Sequence, residues 1–186
     1  MKILTWTGKL IEVPKPCSAL ITIEDVAQGT ARQYRFNGLT VKPYTVAQHS
    51  VIVSRLCVTP LAQLYGLLHD ASEAYLHDIP TPIKSELPDY KTLEDKWMKV
   101  IIQALAPEFS HAMSHIDIHS EVSNADRLAL RHEVRGIAMH PDKFELEPLP
   151  EFPIIPELTE CGILEPKYSA AKFTDRYNQI IKLLKK

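Results

Sequence analysis

Leu67-Leu68-His69-Asp70-Ala71-Ser72-Glu73-Ala74-Tyr75-Leu76-His77-Asp78-Ile79-Pro80 is the stretch on which the reading of this chain turns. It begins as a buried apolar helix and then sets two histidines and three carboxylates within ten residues. Burying such groups without partners is costly, and a metal ion removes the conflict. His69 and Asp70 are adjacent, so on a helix their side chains diverge by about 100°, which suits neighbouring positions around one ion. Glu73 lies one turn on, on the same face as His69. His77 and Asp78 follow before Pro80 and Pro82 stop the helix. This is the pattern of a metal-dependent hydrolase.

Outward from this stretch the periodicity is helical. Thr45 is an N-cap for a helix to about Cys57, with Val46, Val53 and Leu56 along it and His49 one turn inside. Thr59-Pro60, a cap followed by proline at the first helical position, opens the helix that carries His69. Upstream, residues 2–13 read as a hairpin around Thr7-Gly8, and Ile23 to Ala27 as a short helix ending near Gly29. Asn37-Gly38 marks a turn after Tyr34-Arg35-Phe36. Downstream, Asp89 is expected to cap a helix from about Tyr90 to Leu105, closed by Pro107. A further helix is expected from about Ser120 to Met139, with Val122, Ala125, Leu128, Ala129, Val134 and Ile137 in its apolar stripe. Asp126 interrupts that stripe. Residues 141–166 hold six prolines and read as a long connection. Ser169 is expected to cap a final helix to Leu184. The expected fold is mostly α with a small N-terminal β-hairpin. It forms a single domain over residues 1–186, with its core at about 20–140.

Composition narrows the function classes. A formal charge of −2 and the lack of a long basic run give no surface for a nucleic-acid polymer, though a local phosphate pocket remains open. The three cysteines, Cys17, Cys57 and Cys161, form no CxxC pair, which suits reduced thiols rather than a disulfide framework or a thiolate zinc site. The N-terminus has no signal-peptide apolar region, and no run approaches the roughly 20 residues of a membrane span. A soluble cytoplasmic protein without membrane partners is expected.

Three helices each carry a ligand-type residue: His49, then His69-Asp70, then Asp126. This H…HD…D order resembles the HD-domain superfamily of metal-dependent phosphohydrolases. Tyr44-Thr45-Val46-Ala47-Gln48-His49-Ser50 is similar to the first ligand helix of the small bacterial and phage members. The block from Leu68 to Ala74, followed by Asp78-Ile79-Pro80-Thr81-Pro82-Ile83-Lys84, resembles their central segment, and Asn124-Ala125-Asp126 their last ligand. Together these motifs cover about residues 20–135 and are more specific than a lone HD dipeptide. The resemblance implies an HD-type helical bundle with His49, His69, Asp70 and Asp126 around one divalent ion (Zn, Co, Mn, Ni, Fe or Mg). This mixed N/O donor set, free of cysteine, points to an open catalytic site rather than a closed structural one. Glu73, one turn from His69, is placed to hold or deprotonate a water, and the resemblance implies that Asp78 supports that water or the sugar end of a substrate.

Substrate contacts are assigned to Arg35 and Lys84 for phosphate, Phe36 for a base, and His77 as a hydrogen-bonding neighbour. Each also reads as ordinary surface or core. His111, His115 and His119, spaced four apart, leave a second metal open. The expected activity is hydrolysis of deoxynucleotides, most simply as a 5′-deoxynucleotidase. The alternatives are a dNTP (dATP-type) triphosphohydrolase and a nucleotide-binding regulatory domain without turnover. Glu121-Val122-Ser123-Asn124 lacks the basic residue often found before the last ligand, which weighs against the triphosphate. The long connection and last helix leave a homo-oligomer open.

Overall fold

The computed structural model of the chain describes residues 1–145 and 165–186. It is mostly helical, with a small antiparallel hairpin of β1 (Lys2–Leu4) and β2 (Leu10–Glu12), Ile3 opposite Ile11. The hairpin turns through Gly8 at φ +80°, a left-handed position that glycine takes without steric penalty. The helices are α1 (Ile23–Thr30), α2 (Val46–Leu56), α3 (Pro60–Leu68), α4 (Glu73–Leu76), α5 (Thr81–Lys84), α6 (Pro88–Leu105), α7 (Ser110–Met113), α8 (Ile116–Ile137) and α9 (Pro166–Leu184). Among the described residues no helix is long and apolar enough to cross a membrane.

Side-chain caps fix the starts of α2 and α3 as expected. Thr45 and Gln48 form a reciprocal capping box at α2, and Thr59 accepts from the Ala62 amide ahead of Pro60 at α3. Glu121, reaching over from α8, adds a second cap to α3 by accepting from the Thr59 amide at 3.0 Å and its hydroxyl at 2.9 Å. Four starts or stops differ from expectation. The helix of the opening stretch is not continuous: α3 stops at Leu68, and the chain passes through Asp70 to Ser72 in tight turns before α4. Here the Ala71 amide bonds Leu68 O and the Glu73 amide bonds Asp70 O, each only three residues back. The reason lies in His69, whose ring takes the carbonyl of Gly66 that a continuing α-helix would use. α6 starts at Pro88, leaving Asp89 in its first turn. α8 starts at Ile116, earlier than Ser120, and includes His119; Asp117 sits favourably in its first turn. α9 starts at Pro166, so Ser169 lies buried one turn inside instead of capping. Of the proline-rich connection, residues 146–164 lie outside the described residues, as does Cys161.

α3 is the axis of the bundle, packed against α2, α8 and α9, while α1 packs on α4 and α9. One apolar cluster joins the hairpin, α1, α3, α6 and α9 through Ile11, Val26, Leu64, Leu67, Trp97 and Phe173. A second joins α2 and α8 through Tyr44, Ile52, Val53, Val122, Ala129 and Ile137. Each fully buried large apolar side chain contributes about 1.5–3 kcal/mol. Gly29 lets α1 touch α4 directly, because a Cβ there would meet the Ala74 Cβ at 2.7 Å. That contact seats the short helix whose first residue is Glu73. The site lies where the two clusters meet, with α2, α3 and α8 each supplying ligand-type side chains.

Candidate metal centre

His49 and His69 face each other with their Nε2 atoms 3.3 Å apart. Asp70 Oδ2 lies 3.2 Å from His69 Nε2 and 3.6 Å from His49 Nε2. Asp126 Oδ1 lies 3.1 Å from His49 Nε2 and 4.0 Å from His69 Nε2. His49 is fully buried on α2, His69 is the C-cap of α3, and Asp126 comes from the middle of α8. The ligand atoms of His49, His69 and Asp70 all lie within 4.8 Å of one another, so this cluster can hold a metal ion.

The hydrogen bonds behind the rings decide what the front presents. His49 Nδ1 donates to Glu133 Oε1 at 2.6 Å, and His69 Nδ1 donates to Gly66 O at 2.8 Å. With both Nδ1 atoms committed behind, the two Nε2 atoms face each other beside two carboxylates. Such a cluster draws positive charge to its centre, whether as a proton on a ring or as a cation between the rings. The electrostatics agree. Burial opposes a charge on His69, but Asp70 and Asp126 outweigh it and push the imidazole up to about 9. Burial likewise works against the Asp70 carboxylate, and His69, His49 and Arg35 overcome it and hold the group far below its ordinary value.

Glu133 is the residue that sequence reading missed. It is completely buried on α8, accepts from Tyr44 Oη at 2.8 Å, and accepts from Arg35 Nε at 3.2 Å. Burial raises its pKa, but Arg35, His49 and Tyr44 more than compensate and hold it at about 2. It fixes the tautomer and angle of His49 from behind, the usual role of a carboxylate behind a ligating imidazole. Its signal was present: Glu133 lies seven residues after Asp126, two helical turns along the same buried stripe.

The remaining candidates divide. Glu73 is buried; its Oε1 accepts from Lys84 Nζ at 3.1 Å, and its Oε2 has no partner among the described residues. Burial, reinforced by the charges of Asp70 and Asp78, raises its pKa well above the ordinary carboxylate value. Asp78 is raised too, mainly by burial. Lys84 bridges Glu73 to Glu94, the latter at 2.8 Å. Arg35 lies in the site, 3.6 Å from Asp70 and bound to Glu133, so it is a partly buried, paired cation rather than a solvated charge.

Phe36 borders this group, its ring 5.6 Å from Arg35 Cζ and edge-on against Phe144, while His77 is exposed with Nδ1 on Gln33 Oε1 at 2.9 Å. Both have positive φ, 55° and 70°, which non-glycine residues adopt only at a cost of about 1–2 kcal/mol. Of the spaced histidines, His111 and His115 meet edge to face and His119 packs on Tyr65. Among the described residues they form no metal-type cluster.

No family model matches the chain. A Rhodobacter capsulatus relative, described as an uncharacterized protein, is 32% identical over 142 residues, covering 71% of this chain and 70% of its own. An Escherichia coli (strain K12) relative, described as uncharacterized protein YfdR, is 34% identical over 190 residues, covering 98% of this chain and 97% of its own. With that identity running end to end, the chain belongs to the same family as YfdR.

Proposed function

We propose that this protein is a divalent-metal-dependent phosphohydrolase of the HD type that acts on deoxynucleotides, most simply as a 5′-deoxynucleotidase. The observation that carries the reading is the convergence of His49 Nε2, His69 Nε2, Asp70 and Asp126 on one point, with both rings oriented from behind. His49, His69, Asp70 and Asp126 would hold the ion. Such an ion acidifies water and neutralises charge on a phosphate.

The chain's own groups supply the rest. Glu73, a buried carboxylate with a raised pKa beside Asp70, is suited to hold a water and take its proton. Lys84 keeps Glu73 in place and brings positive charge next to the same carboxylate. Asp78 supports the water or the sugar end. Arg35, fixed by Glu133, adds a cation beside Asp70 that favours a phosphate there.

The test is product analysis. Metal-stripped protein is supplied with each divalent ion in turn and given deoxynucleoside mono- and triphosphates. Phosphate from the monophosphates supports the reading. Tripolyphosphate from a dNTP replaces it with the triphosphohydrolase, and metal and nucleotide binding without any product replaces it with a regulatory domain. Glu73→Ala is expected to retain the ion and lose roughly 10²–10⁴-fold in rate. Normal turnover by that variant would remove Glu73 from the mechanism.

A further inference from the structure

A cleft of about 540 Å³ opens from the metal centre, with His69 and Asp70 at its inner end and Lys84 and Glu94 beside them. It runs outward between α3 and α6 towards α7 and the first turn of α8. Its volume is in the range of small-molecule pockets, about 300–1,000 Å³. Phe36 does not line it. The base platform expected from the sequence therefore lies elsewhere than the space that the ligands face.

We infer that this cleft receives the uncharged nucleoside end of the substrate, while the phosphate stays at His69 and Asp70. The inference rests on the proposed phosphohydrolase reading and adds where, and by what chemistry, the organic part is held. Its walls are Tyr65 from α3, Met98 and Ile102 from α6, and Met113 from α7. Two thioethers and a phenol ring make an apolar slot of polarizable atoms suited to a flat ring system. Tyr65 is itself held by an edge-on contact with His119, with ring centroids 4.6 Å apart. Gln103, Ser110 and Ser114 also line it; the Gln103 amide supplies donor and acceptor for the edge of a base, and the serine hydroxyls, which donate to Pro107 O and His111 O, present acceptors.

Charge gives a polyphosphate tail little to hold in this cleft. Of the lining cations, Lys84 is already paired with Glu73 and Glu94, His69 lies against Asp70, and Lys99 is balanced by Asp95 among the lining carboxylates. A neutral base and deoxyribose need no such counter-charge.

The probes are the four free deoxynucleosides, followed by calorimetric titration into the metal-loaded chain, and two esters, a deoxynucleoside 5′-monophosphate and methyl phosphate. Met98→Trp fills the slot; Gln103→Trp, at an exposed position, does the same from the outer end without disturbing the core. The wild-type chain is expected to bind a free deoxynucleoside, and each variant to weaken that binding about tenfold or more. The ratio of kcat/KM for the deoxynucleotide over methyl phosphate should fall by about the same factor. Folded variants that bind and discriminate like the wild type overturn the cleft assignment while leaving the hydrolase reading intact. Deoxynucleoside binding that the variants abolish, with no hydrolysis of either ester under any ion, overturns the hydrolase reading and supports the cleft.

Discussion

His49 and His69 turn the same ring nitrogen to the same point, yet one is braced by a carboxylate 84 residues away and the other by a carbonyl three residues back. The brace of His69 is local. Once α3 forms, Gly66 O is in reach, and the ring's hydrogen bond ends the helix and turns Asp70 towards the same centre. The brace of His49 exists only when α8 docks on α2. It also requires a buried carboxylate to be satisfied, which Arg35 and Tyr44 accomplish. A remote brace is the more vulnerable one, since removing a partner leaves a charge stranded in the interior. The same docking brings Asp126 into the site, so one helix supplies both a candidate ligand and the support of another.

Four outcomes test this contrast, in descending size. Asp70→Ala removes a ligand common to both halves, and the chain should no longer bind a divalent ion stoichiometrically by equilibrium dialysis. Glu133→Gln should spare the ligand set but weaken metal affinity by about 10–100-fold, the usual effect of losing such a brace. An affinity equal to wild type would show that His49 needs no remote support.

The third outcome is a pH dependence. Glu133 titrates at about 2 in the fold against an ordinary 4.5, so its stabilisation is complete above 4.5 and disappears as the pH falls through about 2. The gap in Tm between metal-free wild type and Glu133→Gln should therefore be widest above pH 4.5 and close towards pH 2. A gap constant across that range would remove the charge of Glu133 from the account. Smallest is Tyr44→Phe, which deletes one hydrogen bond to Glu133 while two partners remain. It should cost about 1 kcal/mol in chemical denaturation and leave the metal bound.

Legibility in the sequence followed the range of the interaction. The Thr45 capping box, Thr59-Pro60 and the hairpin turn at Gly8 are decided within four residues, and each stands where the pattern put it. The starts of α6 and α9 fall at Pro88 and Pro166, ahead of the polar residues that look like caps, and α8 begins at Ile116 with no side-chain cap to mark it. Glu133 went unread for a different reason. An acid in a helix looks like a solvated face unless its position in the stripe is weighed, and its partners come from two other parts of the chain. Arg35, expected at a phosphate, is held by Glu133 from far along the chain, and Phe36, expected at a base, lies against Arg35 and Phe144.

Local chemistry fixed the helical character and the small hairpin, and the sequence pattern with its family resemblance named the candidate ligands His49, His69, Asp70 and Asp126. Capping, periodicity and the burial cost of polar groups act between near neighbours and are written along the chain. Packing decided the rest. It set the buried Glu133–Arg35–Tyr44 support, the pairing of Lys84 with Glu73 and Glu94, and the cleft along α6. Each depends on which helices meet across the core, and that is settled by shape and charge balance among residues far apart in sequence.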